Sequence, residues 1–387
     1  MMSTNTFDMH GFIDTAQAFA AKSVAAIFDG EHADGALEKV DDVLATAFAI
    51  GLAASPDPNQ PGHEYGIWGA ALSETGLAPS ALMLSAVAEV CGGVALNLHV
   101  QGLASQVIAM AGRAPKTPPA RVAPAIQEEF GLPGWGTLHI PTLDAPAHVI
   151  SQARREKDGY VIDGLKPFLY AMPGAEAAVV FCRVQDNWGC YLIPLDAAGV
   201  QSSAVGTRTG LRASYLSHLS LKDVRIGAEA RLDDGDALPL LMRVLSLNWL
   251  GLASIGAGIA RGAVKAARKY ASERYQGGTM LENLPAVRML IAGAESNMEA
   301  ACALAASAAG MDPGDPGLMR ACAIARLTGL QLSAEAVTDS LQVFGGYGYM
   351  EDYGMEKRLR DVTVLKSMAG TPQYLKQFIF ESAEVRS

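Results

Sequence analysis

The residues best placed to do chemistry lie near the C-terminus: Gln342, the pair Gly345-Gly346, Arg360-Asp361 and the run Ala369-Gly370-Thr371-Pro372-Gln373. A glycine pair just past a helix end permits positive φ and lets another molecule approach the backbone. Thr371 before Pro372 reads as an N-cap followed by a proline at the first helical position. Amides at such a helix start attract anions. Singly, each residue has a plain structural reading. The glycines stop a helix, Arg274 is a cation favoured near a helix C-terminus, Gln342 is a helix-surface residue, and Arg360-Asp361 is an ion-pair element. Tyr347 and Tyr349 read as core or interface aromatics. The whole constellation at this spacing favours a ligand.

Other chemistries are poorly supported. Five cysteines, Cys91, Cys182, Cys190, Cys302 and Cys322, are scattered without a CxxC, which fits reduced thiols in the cytoplasm. Seven histidines form no HxxxH or HxH pair, so no metal site is expected. The net charge of -10 argues against nucleic acid as a partner. The N-terminus has neither a basic nor an apolar segment of the signal-peptide kind. The apolar stretch 81–112 is broken by Glu89, Gly92-Gly93, Asn97, His99 and Gln101, and reads as buried helices, not as a membrane span. Hydrophobic residues make up 50% of the 387 and charged residues only 18%, so much surface is expected to be buried between subunits.

Three regions must position these residues. Residues 1–130 read as an α-helical domain, with helices in 7–50, a loop at 55–62, helix again over 66–112 in two pieces divided near Cys91-Gly92-Gly93, and a short helix ending at Phe130. Residues 131–232 are short β-rich runs in a barrel or sandwich, with Asp158-Gly159 as a hairpin signal. Residues 233–387 return to helix at 237–273, 285–310, 316–345 and 372–384, a four-helix bundle. The fold class is α+β, mostly helical.

That order resembles the acyl-CoA dehydrogenase family over nearly the whole chain. The family's Gln-x-x-Gly-Gly-x-Gly-(aromatic), Arg-Asp and Glu-Gly-Thr-x-Gln are matched by Gln342 with Gly345-Gly346-Tyr347-Gly348-Tyr349, by Arg360-Asp361, and by Ala369-Gly370-Thr371-Pro372-Gln373. Glu273-Arg274-Tyr275-Gln276-Gly277-Gly278 is similar to its Glu-Arg-x-x-Phe-Gly. Asp158–Lys166 and Gly210-Leu211-Arg212-Ala213-Ser214 match motifs of its β domain. The resemblance implies FAD, an acyl-CoA substrate and an electron-transfer flavoprotein as partner. It also implies a carboxylate base that removes the α-proton while the flavin takes the β-hydride. Arg274, Gln342, Gly345, Gly346, Thr371 and Gln373 are its cofactor-binding positions.

The departures are informative. The base position of the Glu-Gly-Thr motif is Ala369, and the alternative position used by some members is Asn248. Neither can act as a base, so no catalytic residue is expected in this chain. The flavin-ring motif is degraded at 139–146, where His139 reads either as a base or substrate contact or as a strand-end polar residue. Tyr170 stands where the family has a small hydroxyl beside the flavin. The adenine half looks largely intact. The implied role is the glutamate-less subunit of an α2β2 acyl-CoA dehydrogenase, of a kind that acts on bulky steroid side-chain thioesters. Its partner would be a second subunit bearing the Glu. A flavin-dependent monooxygenase on the same fold and a non-enzymatic acyl-CoA-binding scaffold are the alternatives.

Overall fold

The computed structural model describes residues 9–27, 37–126 and 151–382. The N-terminal helices are α1 (Met9–Phe19), which continues as a short π-helix, α2 (Leu37–Ala49), a single turn α3 (Leu72–Thr75), α4 (Ala78–Ala88) and α5 (Gly92–Met110). The expected helix over 66–112 is thus three pieces beginning at Leu72. Nearly every residue of α4 and α5 is buried, polar ones included. These are core helices, not surface helices with one apolar stripe.

One seven-stranded sheet follows. Its strands are β1 (Val122–Ala125), β2 (Gln152–Glu156), β3 (Gly159–Ala171), β4 (Ala177–Val184), β5 (Asn187–Pro194), β6 (Val200–Ala204) and β7 (Tyr215–Gly227), in the order β1-β4-β2-β3-β7-β6, with β5 on the free edge of β4. The β2–β3 hairpin closes through Lys157-Asp158, with Glu156 opposite Gly159. β1 corrects the all-helical reading of residues up to 130: it pairs in parallel with β4, Val122 opposite Ala177. The expected helix to Phe130 and the domain boundary at 131 fall outside the described residues. Residues 139–146, including His139, do so as well.

The bundle is built on α6 (Leu238–Glu273), whose 36 residues run about 54 Å. It is long and apolar enough to cross a bilayer, yet 67% of its apolar window is buried among the other helices. Against it lie α7 (Pro285–Ala309), α8 (Leu318–Val343) and α10 (Pro372–Glu381). A further helix, α9 (Met355–Leu365), was not expected from the sequence. It buries Met355, Val362 and Leu365 against α6 and α8 and carries Arg360-Asp361. α8 ends with Phe344 as C-cap and Gly345 at φ 58°, as the glycine pair predicts. Tyr347–Tyr349 belong to a 3-10 turn, Gly345–Tyr349. Asn248 lies well inside α6.

Candidate functional site

A cavity of about 370 Å³ opens where the three regions meet. α5 contributes Val100 and Leu103, β1 and the residue after it Pro124 and Ile126, and β3 Phe168 and Tyr170. The β6–β7 segment adds Val205, Arg208, Gly210 and Leu216; α6 adds Asn248; and the end of α9 adds Val364, Ser367, Met368 and Ala369. The two base positions of the resemblance, Ala369 and Asn248, therefore face one space. No carboxylate lines it among the described residues.

Ala369 is held in the left-handed region at φ 52°, which costs an L-residue roughly 1 kcal/mol. Its carbonyl accepts from Trp249 Nε1 at 2.8 Å. From α8, Arg326 donates to the carbonyls of Lys366, at 3.3 Å, and Met368. Arg326 is fully buried, so desolvation lowers its pKa to about 10, and its Nε is an orphaned donor. Two large buried side chains thus fix the turn on which Ala369 sits, although alanine has no proton to move. Beyond it, Thr371 caps α10 by accepting from the Tyr374 amide at 3.3 Å, the N-cap geometry expected.

Arg360-Asp361 locks the opposite wall. The buried Asp361 carboxylate accepts from the Leu211 amide at 2.6 Å and from Lys357 Nζ at 2.6 Å. Arg360 pairs with Glu356 at 2.5 Å and donates to the Thr209 carbonyl at 2.8 Å. A side chain at Gly210 would meet the Arg360 carbonyl oxygen at 2.4 Å, so only glycine lets the turn dock here. Arg208 donates to the carbonyls of Arg212, at 3.2 Å, and Ser214, at 2.5 Å, and Arg212 Nε donates to the Arg208 carbonyl at 2.9 Å. The Gly210–Ser214 and Arg360-Asp361 motifs are two halves of one structural joint.

A polar chain reaches the cavity from behind. Trp68 Nε1 donates to His99 Nδ1 at 2.9 Å, and His99 Nε2 lies 3.0 Å from Asn248 Oδ1. Trp68 and His99 are both fully buried, and desolvation lowers the His99 pKa to about 4. The imidazole is neutral at physiological pH.

The other candidate residues gather at the far end of the bundle. Arg274 is the C-cap of α6, with its guanidinium carbon 5.2 Å from the centre of the Tyr347 ring. Its buried Nε has no partner. Phe344 stacks on Tyr270 at 4.3 Å, and Tyr353 packs against both. Side chains added at Gly345 or Gly346 would meet nothing within 4 Å, so their backbone faces open space. Gln342 is exposed one turn earlier. Arg326 touches the Ala369 turn, and Val343 lies about 25 Å further along α8. The structure therefore brings Arg274, Gly345 and Gly346 together at one end, and Asn248 and Ala369 at the cavity. Thr371 and Gln373 are exposed at the start of α10 and do not line the cavity.

His99, Trp68 and Arg208 were not singled out in the sequence as site residues. His99 and Trp68 stand 31 residues apart, and His99 and Asn248 stand 149 apart, so no local spacing connects them. Arg208 immediately precedes the Gly210–Ser214 motif, and that position was the one available signal.

The family model for the acyl-CoA dehydrogenase C-terminal domain matches residues 236–383. A subunit of the caffeyl-CoA reductase–Etf complex of Acetobacterium woodii is 28% identical over 228 residues, 57% of this chain and 60% of that subunit's length. Cyclohexane-1-carbonyl-CoA dehydrogenase of Geobacter metallireducens is 26% identical, with 93% of each chain covered. The solved glutaryl-CoA dehydrogenase of Mycobacterium smegmatis in complex with FADH2 superposes with a TM-score of 0.79 at 18% identity, covering 97% of this chain and 94% of that one. Residues 236–383 thus match the C-terminal domain of the acyl-CoA dehydrogenases, and over most of its length the chain is similar to members of that family.

Proposed function

We propose that this chain is the base-less subunit of a heteromeric, FAD-dependent acyl-CoA dehydrogenase. The observation that carries the reading is the cavity: Ala369 and Asn248, the two positions from which a base would act, both face it, and no described lining residue is acidic. A carboxylate is needed to take the α-proton, and neither an alkyl group nor an amide does so at neutral pH. The proton therefore goes to a glutamate of a second subunit.

The residues divide in their fit to FAD. At the far end of the bundle, the orphaned Nε of Arg274 and the open backbone at Gly345 and Gly346 suit a pyrophosphate and adenine, with Gln342 beside them. Thr371 and Gln373, at the start of α10 just past the Ala369 turn, would make a separate contact to the cofactor, away from the Gly345 end. At the cavity, Phe168 and Tyr170 are bulky lining residues, and Tyr170 stands where the resemblance places a small hydroxyl beside the flavin. FAD, when bound, supplies the hydride acceptor. This chain's contribution is to hold the nucleotide half by charge-assisted bonds and to seal the site from water. The exposed Tyr275, Met280, Tyr347 and Tyr349 around Arg274 suit burial against the second subunit. The crowded ring pocket disfavours a monooxygenase.

The substrate is an acyl-CoA with a bulky, alicyclic or steroid-like acyl group. Val100, Leu103, Ile126, Leu216 and Val364 give the cavity an apolar wall, and one relative is named for an alicyclic acyl-CoA. Electrons would pass to an electron-transfer flavoprotein, as the name of the Acetobacterium relative fits. The test is expression alone and with an acyl-CoA dehydrogenase subunit that retains its glutamate. The lone chain should be colourless and inactive with an artificial acceptor, and Ala369→Glu should leave it inactive. The co-expressed complex should be yellow and active. Turnover by the lone chain, or its gain in Ala369→Glu, would refute the division of labour.

A further inference from the structure

The polar chain behind the cavity fixes which way the Asn248 amide points. Indole Nε1–H only donates, so His99 Nδ1 must accept from it. A neutral imidazole then carries its proton on Nε2, and the group 3.0 Å away must be an acceptor, the Asn248 Oδ1. The amide nitrogen is thereby turned away from His99. It has no hydrogen-bond partner among the described residues, and Asn248 lines the cavity.

The arrangement is built at some structural cost. Trp68 sits at φ 59°, a conformation bulky residues rarely adopt, with its amide tied to Ser80 Oγ at 2.9 Å. Opposite the imidazole, α6 carries Gly251, where a side-chain carbon would lie 2.1 Å from His99 Cε1. The ring therefore fills a notch in the helix one turn from Asn248. Of the other polar residues lining the cavity, Ser367 Oγ donates to the Val364 carbonyl at 2.8 Å and Arg208 holds the carbonyls of Arg212 and Ser214, while the Tyr170 hydroxyl is a further potential donor.

Resting on the acyl-CoA reading of the cavity, we infer that Asn248 is a substrate-binding residue: its amide N–H groups, oriented by Trp68 and His99, donate to the thioester carbonyl oxygen of the bound acyl-CoA. Asn248 binds, and Trp68 and His99 are positioning residues. The ligand must present an acceptor at this point, and an acyl-CoA carries one in every case.

The test compares octanoyl-CoA with octyl-CoA, the thioether that lacks the carbonyl, by calorimetric titration of the full chain. One net hydrogen bond gives the thioester about a tenfold preference. Asn248→Leu and Asn248→Ala should abolish that preference by weakening thioester binding alone. His99→Phe should reduce it, and His99→Gln should restore it, because a glutamine amide can accept from Trp68 and donate to Asn248. A merely structural role for His99 would move both ligands together. If the wild-type chain binds both ligands equally, or the Asn248 variants keep the preference, the inference fails while the acyl-CoA reading stands. If neither ligand binds, both fail.

Discussion

The cavity and the far end of the bundle differ in what they retain. Around the cavity the supports are elaborate. Arg326 and Trp249 fix the Ala369 turn, Asp361 and Lys357 lock the opposite wall, and Trp68 and His99 aim Asn248. Yet among the described residues no carboxylate lines it. At the far end the supports are few, an aromatic cluster and a helix C-cap, but the groups that would meet a nucleotide are open: an orphaned Arg274 Nε and an uncovered glycine backbone. On the proposed reading, the cavity keeps its frame to bind substrate while the base comes from a second subunit. On the same reading, the far end, about 25 Å along α8 from the cavity, is suited to the nucleotide of a neighbour's cofactor.

The contrast can be pressed from the cavity side. The largest expected effect is on stability. Asp361→Asn leaves Lys357 buried beside a neutral amide, and breaking such a pair costs about 3–5 kcal/mol. Urea unfolding should register that loss. An effect under about 1 kcal/mol would mean that the α9–β joint does not hold the cavity wall.

A slightly smaller effect comes from His99. Burial lowers its pKa from 6.5 to about 4. Between those values the unfolded chain binds the proton and the folded chain does not. Stability therefore falls as the pH drops from 6.5 towards 4, by a total on the order of 3 kcal/mol. His99→Gln should flatten this part of the urea-midpoint profile. An equally steep profile in that variant would assign the pH dependence to other groups.

Much of this was legible in the chain itself. The succession of helices, sheet and bundle follows from the change in apolar period. The Phe344 stop and the Thr371 cap follow from local chemistry. Ala369 and Asn248 could be singled out because motif spacing is local information, and the structure sets both on one cavity. What escaped was either short or non-local. β1 is four residues containing Pro124, buried and parallel to a strand that begins at Ala177, so it shows no alternation to read. α9 buries only three apolar side chains and a carboxylate, too thin a stripe to announce a helix. His99 looked like a polar interruption in an apolar run. Its meaning depends on Trp68 and Asn248, which tertiary folding alone brings to it.

The most direct measurement is flavin content in the co-expressed complex when Arg274→Ala is made in this chain alone. Wild-type complex should carry one FAD for each pair of unlike chains. The variant should assemble and unfold as wild type does but bind FAD about 10- to 100-fold more weakly, the value of a lost charge-assisted bond to phosphate. Undiminished flavin in the variant, or a full FAD in every chain of the wild type, would contradict the assignment of this chain to the nucleotide half of its neighbour's site.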